Sequence, residues 1–496
     1  MTNIILISLD TTRADRLSSY GYSRCTSPHL DKIAEEGALF SDFISPHIPT
    51  FPGHTTMMTG TDIYVHQVTG QSTNPEPPPG VKMLAELLRE QGYYTAAADN
   101  LGRWFARGFD YVQGYGWDTA DSSAWRKGEA VLKASLDVLR RAVNQDLPFF
   151  LFFHFWDPHT PYLPPSPFSR MFYQGDEKDP SNTSMNSVWR FENFKNYFAE
   201  WMPGVTDIEF PKAQYDAEIA YMDSCIAHIA SHLDSLGLKE DTCLAITADH
   251  GEELDEHGCW FDHHGLYETN IHIPLILRCP SCIPGGLRIG GLTQMMDLAP
   301  TLLELVGAKD IAHRENMRGR SLLPLIHQPY ACRGTTDSVH ITENTWMKKR
   351  GFRTPGWKLI VPLETPDLHG KSDVELYDLI NDPGETTNAA LHYPEVTKKF
   401  LSDLDTYVEA RVEASGLPDP MPLQPLPLRR IGKMDTAVPR DKKLAAEEEK
   451  TPLADLKREE GDFIGYEREE EQLSGSPSIQ NDSKSLRNNP DNLRER

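Results

Sequence analysis

Thr50 lies in a stretch whose residue types could do chemistry. Pro49 and Pro52 flank it, and because proline fixes its own φ and pushes the preceding residue toward extended geometry, they predict a rigid turn at Thr50. Residues 54–58 predict a helix that opens after Gly53, with free N–H groups pointing back at the threonine hydroxyl, where an anion would sit. Such a hydroxyl becomes a nucleophile only if a base or a metal lowers its pKa. The alternative is that Thr50 simply caps the helix.

Carboxylates and an imidazole follow two apolar runs of the chain. The run Asn3–Leu9 predicts a buried parallel strand that ends at Asp10, and Thr242–Thr247 predicts another that ends at Asp249 and His250. Ligands bind at the carboxyl ends of strands in open α/β sheets. Two carboxylates, an imidazole and a hydroxyl suit a borderline divalent cation, which would favour a threonine alkoxide and polarise an ester oxygen. Taken singly, an aspartate at a strand end is more often a helix cap than a ligand.

The alternation of strands and helices predicts the fold class and the domains. Further strands are expected over 40–44, 93–98, 147–155 and 273–277, and helices over 27–37, 81–91, 129–143 and 214–236. This pattern predicts a doubly wound α/β catalytic domain over 1–334, with a mostly parallel sheet flanked by helices. Short strands over 340–342, 358–361 and 375–379, followed by a helix over 393–414, predict a smaller antiparallel sheet packed by a helix, in a subdomain over 335–433. The mixed-charge, aromatic-poor residues 434–496 predict a disordered tail.

Composition narrows the possible partners. A net charge of −24 argues against nucleic acid, while a small-molecule anionic substrate remains compatible with local positive charge. No segment is long and apolar enough to predict a membrane span, and the first residues lack a basic leader region, so we expect a cytoplasmic protein. A homo-oligomer is compatible with the sequence. The seven scattered cysteines do not form a disulfide framework. Cys279 and Cys282 form a lone C-x-x-C that we interpret as packing residues.

An aromatic-rich insertion over 175–211 could be a lid, ordinary packing or a subunit interface.

Over roughly residues 1–415 the chain resembles the sulfatase family of the alkaline phosphatase superfamily. Any one of the resembling segments could occur by chance, but all of them follow the family's order, which predicts an alkaline-phosphatase-like fold. They are 3–10 with 13–15, 50–60 with His66, 157–162, 247–251, 263–268 with 272–274, 296–301, 319–325 and 376–385.

The resemblance implies a role for each matching residue. The implied metal ligands are Asp10, Thr50, Asp249 and His250, with Thr50 also matching the nucleophile. His159 matches a histidine that contacts the transferred group or protonates the leaving group. His263 falls where the family usually carries a lysine that holds the anion, and the adjacent His264 is equally plausible in that role.

Several departures from the family pattern affect the expected chemistry. Family sulfatases carry cysteine or serine in C-x-P-x-R, which is oxidised to formylglycine, whereas this chain has Thr50 and, at the arginine position, His54. Threonine could give at most a ketone, so no formylglycine is expected. The T-x-P-x-H form is similar to that of nucleotide pyrophosphatase/phosphodiesterases, which use an unmodified threonine. Thr11 replaces the usual second aspartate, and the Asp-His pair at 249–250 resembles that of phosphonate monoester hydrolases. The usual lysine and histidine after Thr95 are missing.

The same comparison predicts one divalent ion. A second metal site would need an aspartate with a histidine four residues on, whereas Asp157 and His159 are two apart. Mn²⁺ or Ca²⁺ is favoured and Zn²⁺ is possible.

These features lead to a main functional hypothesis and two alternatives. The main hypothesis is a metal-dependent hydrolase of anionic esters that works through a covalent Thr50 intermediate, with phosphate or phosphonate mono- or diesters favoured. A phosphodiesterase would be one such enzyme. The first alternative is a true sulfuric ester hydrolase. The second is a catalytically silent family member that binds an anion or a partner through the same cleft.

Overall fold

The strand β1, Asn3–Leu9, lies at the middle of the main sheet, and all seven of its residues are buried. The structure is a computed structural model that describes residues 1–71, 76–100, 103–115, 127–329, 334–365, 367–371 and 373–426. Ile5 and Ile7 pack into the core on one face of the sheet, and Ile4 and Leu6 into the core on the other. Since successive side chains of a strand point to opposite faces, a continuous apolar run is what a strand covered on both sides requires.

Within these ranges the main sheet has eight strands, in the order β11-β2-β10-β8-β1-β7-β5-β6. Neighbouring strands run parallel except β10, which is antiparallel to both β2 and β8. The predicted mostly parallel α/β sheet is therefore confirmed. The strands are β1 Asn3–Leu9, β2 Ala38–Phe40, β3 Phe43–Ile44, β4 His47–Ile48, β5 Tyr94–Ala98, β6 Tyr111–Gln113, β7 Phe149–Phe155, β8 Thr242–Thr247, β9 His272–Ile273, β10 Leu275–Arg278, β11 Leu287–Ile289, β12 Thr293–Gln294, β13 Val339–Asn344, β14 Lys348–Arg353, β15 Trp357–Pro362 and β16 Glu375–Asp378.

Helices cover both faces of this sheet, and the three longest that the structure describes coincide with predicted helices to within five residues at each end. The α-helices are α1 Pro28–Glu35, α2 Thr50–Thr59, α3 Ile63–His66, α4 Leu84–Glu90, α5 Lys127–Val143, α6 Asn186–Arg190, α7 Glu192–Trp201, α8 Glu209–Ser235, α9 Glu268–Ile271, α10 Leu298–Leu305, α11 Lys309–Arg314, α12 Leu323–His327, α13 Pro394–Ser415 and α14 Pro420–Leu423. Apolar side chains of α5 and α8 pack on one face of the sheet, and those of α4 and α10 on the other.

A separate smaller sheet has the strand order β16-β15-β14-β13-β4. It is antiparallel apart from the short β4, which pairs with β13 in parallel. Leu404 of α13 packs with Phe352, Leu359 and Leu376 of the sheet, which confirms the predicted antiparallel sheet with its helix. Because β4 leads directly into α2, the smaller sheet holds the segment that presents Thr50.

Some sequence predictions were wrong in detail. The helix predicted after Gly53 begins at Thr50, and the strand predicted over 40–44 is divided into β2 and β3. The strand over 273–277 is divided at Pro274 into β9 and β10. Cys279 and Cys282, which the sequence analysis interpreted only as packing residues, form a disulfide, and Cys279 is fully buried.

The domain boundary at 334/335 stays a prediction, and the tail predicted over 434–496 lies outside the described residues. Among the helices that the structure describes, none has the length and apolarity needed to cross a membrane.

Candidate active site

The hydroxyl of Thr50 is fully buried at the first residue of α2. Pro52 is tolerated in this first turn because the first N–H groups of a helix have no acceptor inside it, so the missing N–H costs nothing. Gly53 allows α2 to lie against the neighbouring strand end, since a Cβ there would sit 3.1 Å from the carbonyl oxygen of Asp249. Pro49, not Thr50, is the N-cap residue, and Thr50 makes no capping bond. Thr50 therefore presents its hydroxyl at the amino-terminal end of the helix.

Asp249 and His250 directly follow β8. The ring of His250 donates from Nδ1 to the carbonyl oxygen of Gly251 at 2.9 Å. This bond fixes the orientation of the ring, so that Nε2 faces Thr50 Oγ1 at 3.3 Å and Asp249 Oδ2 at 3.4 Å. Asp249 Oδ1 accepts the backbone N–H groups of Thr11 and His250, at 3.3 and 2.9 Å. The other carboxylate oxygen of Asp249 is thus left to face the cluster.

Asp10 follows β1 and is held by a histidine that the sequence analysis missed. His154 of β7 contacts Asp10 Oδ2 through Nε2 at 3.2 Å and Asp99 Oδ1 through Nδ1 at 2.9 Å. Burial lowers the pKa of His154, but the hydrogen bonds to both carboxylates outweigh burial and raise the pKa to about 9. Burial alone would raise the pKa of Asp10, yet His154 and other nearby histidines hold that pKa well below its usual range. Asp10 is therefore an anion at neutral pH.

A signal for His154 was present in the sequence. It stands in the otherwise apolar strand Phe149–Phe155, near the end where ligands bind, and it lies opposite Ser8 in the parallel register. A lone ionisable residue in a strand buried on both faces needs a partner, because an unpaired buried charge is costly. The sequence analysis predicted a strand over 147–155 and assigned no role to His154.

The donor atoms fit a divalent cation. Single ligand atoms of Asp10, Asp249 and His250 all lie within 4.8 Å of one another, and all three residues are fully buried. Asp10 Oδ1 and Asp249 Oδ2 have no hydrogen-bond partner within the described part of the chain. Two buried carboxylate oxygens without donors are expensive unless a cation neutralises them. Asp10, Asp249 and His250 would hold the ion, with the Thr50 hydroxyl beside it.

His54 holds the backbone of this cluster. Its ring contacts the carbonyl oxygen of Thr50 through Nδ1 and Ser8 Oγ through Nε2, both at 2.9 Å, and Nδ1 is 3.5 Å from Asp249 Oδ2. Burial lowers the pKa of His54, so the ring is held neutral. The His54 ring therefore contacts the backbone of Thr50, not its hydroxyl, and positions the first turn of α2.

Thr11 adjoins the same cluster with a strained backbone. Its φ is +53°, a left-handed conformation that is unusual for a β-branched residue. This geometry accompanies the bond from its N–H to Asp249, and the hydroxyl of Tyr215 donates to its carbonyl oxygen at 2.7 Å. Strain of this kind persists where the surroundings over-determine the backbone, as they commonly do at functional sites.

His263 and His159 lie on the other side of His250. The ring centre of His263 is 4.6 Å from that of His250 and 5.1 Å from that of His159. Burial lowers the pKa of His263, but Asp262 and Glu252 outweigh it and raise the pKa to about 9. His263 is therefore a cation at neutral pH, next to the cluster of Asp10, Asp249 and His250. His159 contacts the carbonyl oxygen of Thr160 through Nδ1 at 2.7 Å and is partly exposed.

His264 belongs to a different group of side chains. Its Nε2 is 2.8 Å from His369 Nε2, and a second group of possible metal ligands consists of Cys259, His264 and His369. The structure thus brings Thr50, Asp10, Asp249, His250 and His263 together, and it places His264 with partners that the sequence analysis did not consider.

The fold and site together define a class of protein, an α/β ester hydrolase built around strand-end carboxylates and a hydroxyl. Comparison with known families makes this specific. The family model described as Sulfatase matches residues 2–308, and the model for the C-terminal region of N-sulphoglucosamine sulphohydrolase matches residues 255–410. The chain belongs to the sulfatase family and is a hydrolase acting on ester bonds.

Relatives and solved structures agree with this assignment. N-acetylglucosamine-6-O-sulfatase of Bacteroides thetaiotaomicron is 24% identical over 499 residues, covering 81% of this chain and 85% of its own. Arylsulfatase K of Gallus gallus is 24% identical over 470 residues, covering 82% of each chain. The phosphonate monoester hydrolase of Agrobacterium radiobacter has a similar fold, with a TM-score of 0.65 at 20% identity over 83% of this chain and 96% of its own. A structure in complex with D-glucosamine-2-N,6-O-disulfate gives a TM-score of 0.62 at 19% identity, over 83% and 98% of the two chains.

Proposed function

We propose that this protein is a metal-dependent hydrolase of phosphate or phosphonate esters in which Thr50 forms a covalent ester with the transferred group. The observation that carries the proposal is the buried Thr50 hydroxyl, 3.3 Å from His250 Nε2 at the start of α2. Threonine cannot become formylglycine, so the attacking oxygen is the hydroxyl itself. The amino-terminal end of a helix also favours the negative charge of the group under attack.

A divalent ion held by Asp10, Asp249 and His250 would favour the Thr50 alkoxide and stabilise developing negative charge. The protein's own residues fix the geometry around it. His54 and Pro49 set the first turn of α2, and His154 orients Asp10. These contacts hold the Thr50 hydroxyl in place before the substrate binds. Such positioning lowers the activation barrier, because the nucleophile is already oriented for attack.

The two remaining histidines serve the leaving group and the anion. His263, a cation at neutral pH, binds a non-bridging oxygen of the ester and takes the place of the family's lysine. His159 donates from Nδ1 to the Thr160 carbonyl, so only the imidazolium form of the ring carries a proton on Nε2, and this form protonates the departing alcohol. After that transfer the neutral Nε2 accepts a proton from the water that hydrolyses the threonyl ester.

The step that releases the transferred group from Thr50 favours phosphate and phosphonate esters over sulfate esters as substrates. A formylglycine hydrate carries a second hydroxyl whose deprotonation expels sulfate. A threonyl ester has no such group, so water must attack phosphorus or sulfur directly. The phosphonate monoester hydrolase with the similar fold supports phosphonate esters as a substrate class by analogy only.

A second candidate substrate is a sulfate ester. The relatives named N-acetylglucosamine-6-O-sulfatase and arylsulfatase K favour it, since each matches more than four-fifths of this chain. With sulfate, the same Thr50 attack would leave a threonyl sulfate.

A side-by-side rate assay tests the proposal. The substrates are p-nitrophenyl sulfate, p-nitrophenyl phosphate, p-nitrophenyl phenylphosphonate and bis-p-nitrophenyl phosphate, with and without added Mn²⁺. Thr50→Ala is the blank. Thr55→Ala, which removes another buried hydroxyl of α2 that bonds to the Phe51 carbonyl, is the matched control. Phosphodiester or phosphonate turnover that disappears only in Thr50→Ala supports the proposal, whereas dominant sulfate turnover selects the second candidate.

A further inference from the structure

The cluster of Cys259, His264 and His369 has no part in the mechanism described above. Cys259 Sγ lies 3.5 Å from His369 Nε2, and His264 Nε2 lies 2.8 Å from the same nitrogen. Cys259 and His264 are buried, and His369 is partly exposed. One sulfur and two imidazole nitrogens therefore converge on one point that is accessible from one side.

We propose that Cys259, His264 and His369 form a second metal site, for an ion of the Zn²⁺ class. Thiolate and imidazole ligands select borderline and soft ions, and they differ in this from the carboxylate-rich Asp10 cluster. Three protein ligands leave a fourth tetrahedral position for water on the exposed side of His369. The assignment does not depend on the reaction proposed for Thr50.

The distances are close to those that such an ion requires. Zinc bonds of about 2.0–2.1 Å to nitrogen and 2.3 Å to sulfur at tetrahedral angles place two nitrogens about 3.3 Å apart and a sulfur about 3.6 Å from a nitrogen. The 3.5 Å separation of Cys259 Sγ and His369 Nε2 already matches. The 2.8 Å separation of the two imidazole nitrogens must open by about 0.5 Å, which a small rotation of the partly exposed His369 ring provides.

Neighbouring residues would support the ligands. Asp262 Oδ1 lies 3.9 Å from His264 Nδ1, which has no hydrogen-bond partner within the described residues. With Nε2 on a metal, the proton of His264 resides on Nδ1 and faces this carboxylate, the arrangement that usually orients a ligating histidine. Phe191 stacks on the His369 ring at 5.0 Å and 9°, and the Phe194 ring lies 5.5 Å from that of His264.

These two aromatic residues come from the insertion over 175–211, so part of that segment packs against the second cluster.

Binding of the ion displaces the thiol proton of Cys259 to solvent and moves the proton between the two imidazoles to an Nδ1 atom. Because protons are released on binding, the affinity of the second cluster for the ion rises with pH.

The ion would also join the loop after β8 of the main sheet to the smaller sheet. Cys259 and His264 lie in the loop after β8, and His369 lies in the connection between β15 and β16. Because His264 is adjacent to His263, a metal at the second cluster would fix the backbone that presents the His263 cation to the Thr50 site.

Cobalt titration tests this inference, because Co²⁺ bound to a thiolate gives an intense charge-transfer absorption that carboxylate and imidazole ligands do not give. The protein is stripped with chelator and titrated with CoCl₂ as wild type, Cys259→Ser, His369→Ala and Asp249→Asn. Cys225→Ser, another buried free cysteine, is the matched control.

We expect two cobalt ions per wild-type chain and one in each of the three site variants. The thiolate band should be lost in Cys259→Ser and retained in Asp249→Asn and Cys225→Ser. If Cys259→Ser fails to fold, His369→Ala decides the question, since its side chain is partly exposed. A wild-type protein without a thiolate band, or a band that survives in both Cys259→Ser and His369→Ala, would overturn the proposal.

Discussion

The Asp10 cluster and the Cys259 cluster differ in how the fold assembles them. Asp10 and Asp249 follow adjacent parallel strands of the main sheet, so the sheet register alone brings them together. Cys259 and His369 lie on loops 110 residues apart and meet only because the smaller sheet returns the chain to that point. The first cluster offers hard oxygen donors and a nucleophile, and the second offers sulfur and nitrogen donors.

The adjacent residues His263 and His264 divide between these two clusters. The His263 ring lies beside His250, while the His264 ring lies beside His369. Adjacent residues point in different directions, so a two-residue motif can serve two sites at once. A sequence motif that resembles one catalytic position can thus contain a ligand of another site.

The largest expected difference between the clusters is in turnover. Asp249→Asn should lower kcat by about 10³-fold or more, since it removes a negative charge beside Thr50 and weakens the binding of the metal. Cys259→Ser should stay within about tenfold of wild type, because its effect reaches Thr50 only through the His263 backbone. The measurement is kcat with the preferred p-nitrophenyl ester at saturating Mn²⁺. Equal losses in the two variants would mean that the two clusters act as one site.

The charge of His263 gives the next largest effect and a pH signature. Its pKa of about 9 lies above the ordinary value for histidine, so the cation is present at neutral pH and is lost as the pH rises through about 9. His263→Gln should lower kcat/KM by about 10²-fold at pH 7, and less at pH 10, where the wild type has lost the same charge.

Profiles of kcat/KM from pH 6 to 10.5 check this prediction for both forms. His154 has a pKa raised to the same range. A decline near pH 9 that persists unchanged in His263→Gln would therefore assign the titration to His154 instead.

Asp262 contacts both histidines and so connects the two regions. Its Oδ1 is 3.4 Å from His263 Nδ1 and 3.9 Å from His264 Nδ1. Asp262→Asn should lower the pKa of His263 and reduce cobalt affinity at the second cluster by about tenfold or more. The pH profile and the cobalt titration measure the two effects separately. Loss of only one of them would show that Asp262 supports a single cluster.

Gly53→Ala is expected to have the smallest effect and should be confined to the first cluster. The added Cβ would lie 3.3 Å from Asp249 Cβ, so the first turn of α2 must shift by a few tenths of an ångström. We expect a loss of about 1–3 kcal/mol in unfolding free energy, measured by urea denaturation, with the thiolate–cobalt band unchanged. Gly80→Ala, where nothing lies within 4 Å of the added atom, is the control. A change in the cobalt band would show that the clusters are mechanically linked.

The sequence predicted the parts of the fold that follow from continuous apolar runs and strand ends. β1 and β8 were predicted from continuous apolar runs alone, and the predicted helices over 214–236 and 393–414 overlap α8 and α13. The strand β14, Lys348–Arg353, was not predicted because four of its six residues are basic. In the structure Lys349 pairs with Asp367 at 2.9 Å, and Arg353 pairs with Asp42 at 2.8 Å. Ion pairs with residues distant in sequence make that burial possible.

In the candidate site, too, local sequence patterns predicted some residues, while others depend on contacts between distant parts of the chain. Asp10, Asp249 and His250 could be predicted because they end apolar strands. The start of α2 was placed four residues late because proline and glycine usually mark turns, although the first turn of this helix contains both. His154 was obscured by the aromatic residues around it. The pairing of Cys259, His264 and His369 depends on a chain reversal that no local pattern encodes.

Acid-quenched mass spectrometry of the peptide containing Thr50 tests the proposed reaction most directly. The protein is mixed with excess p-nitrophenyl phenylphosphonate in the presence of Mn²⁺, quenched during turnover and digested. We predict that Thr50 carries the phenylphosphonyl group in the wild type, and that Thr50→Ala shows neither the adduct nor turnover. Turnover that continues in Thr50→Ala, or wild-type turnover without any adduct at Thr50 even in a rapidly quenched sample, would contradict the account.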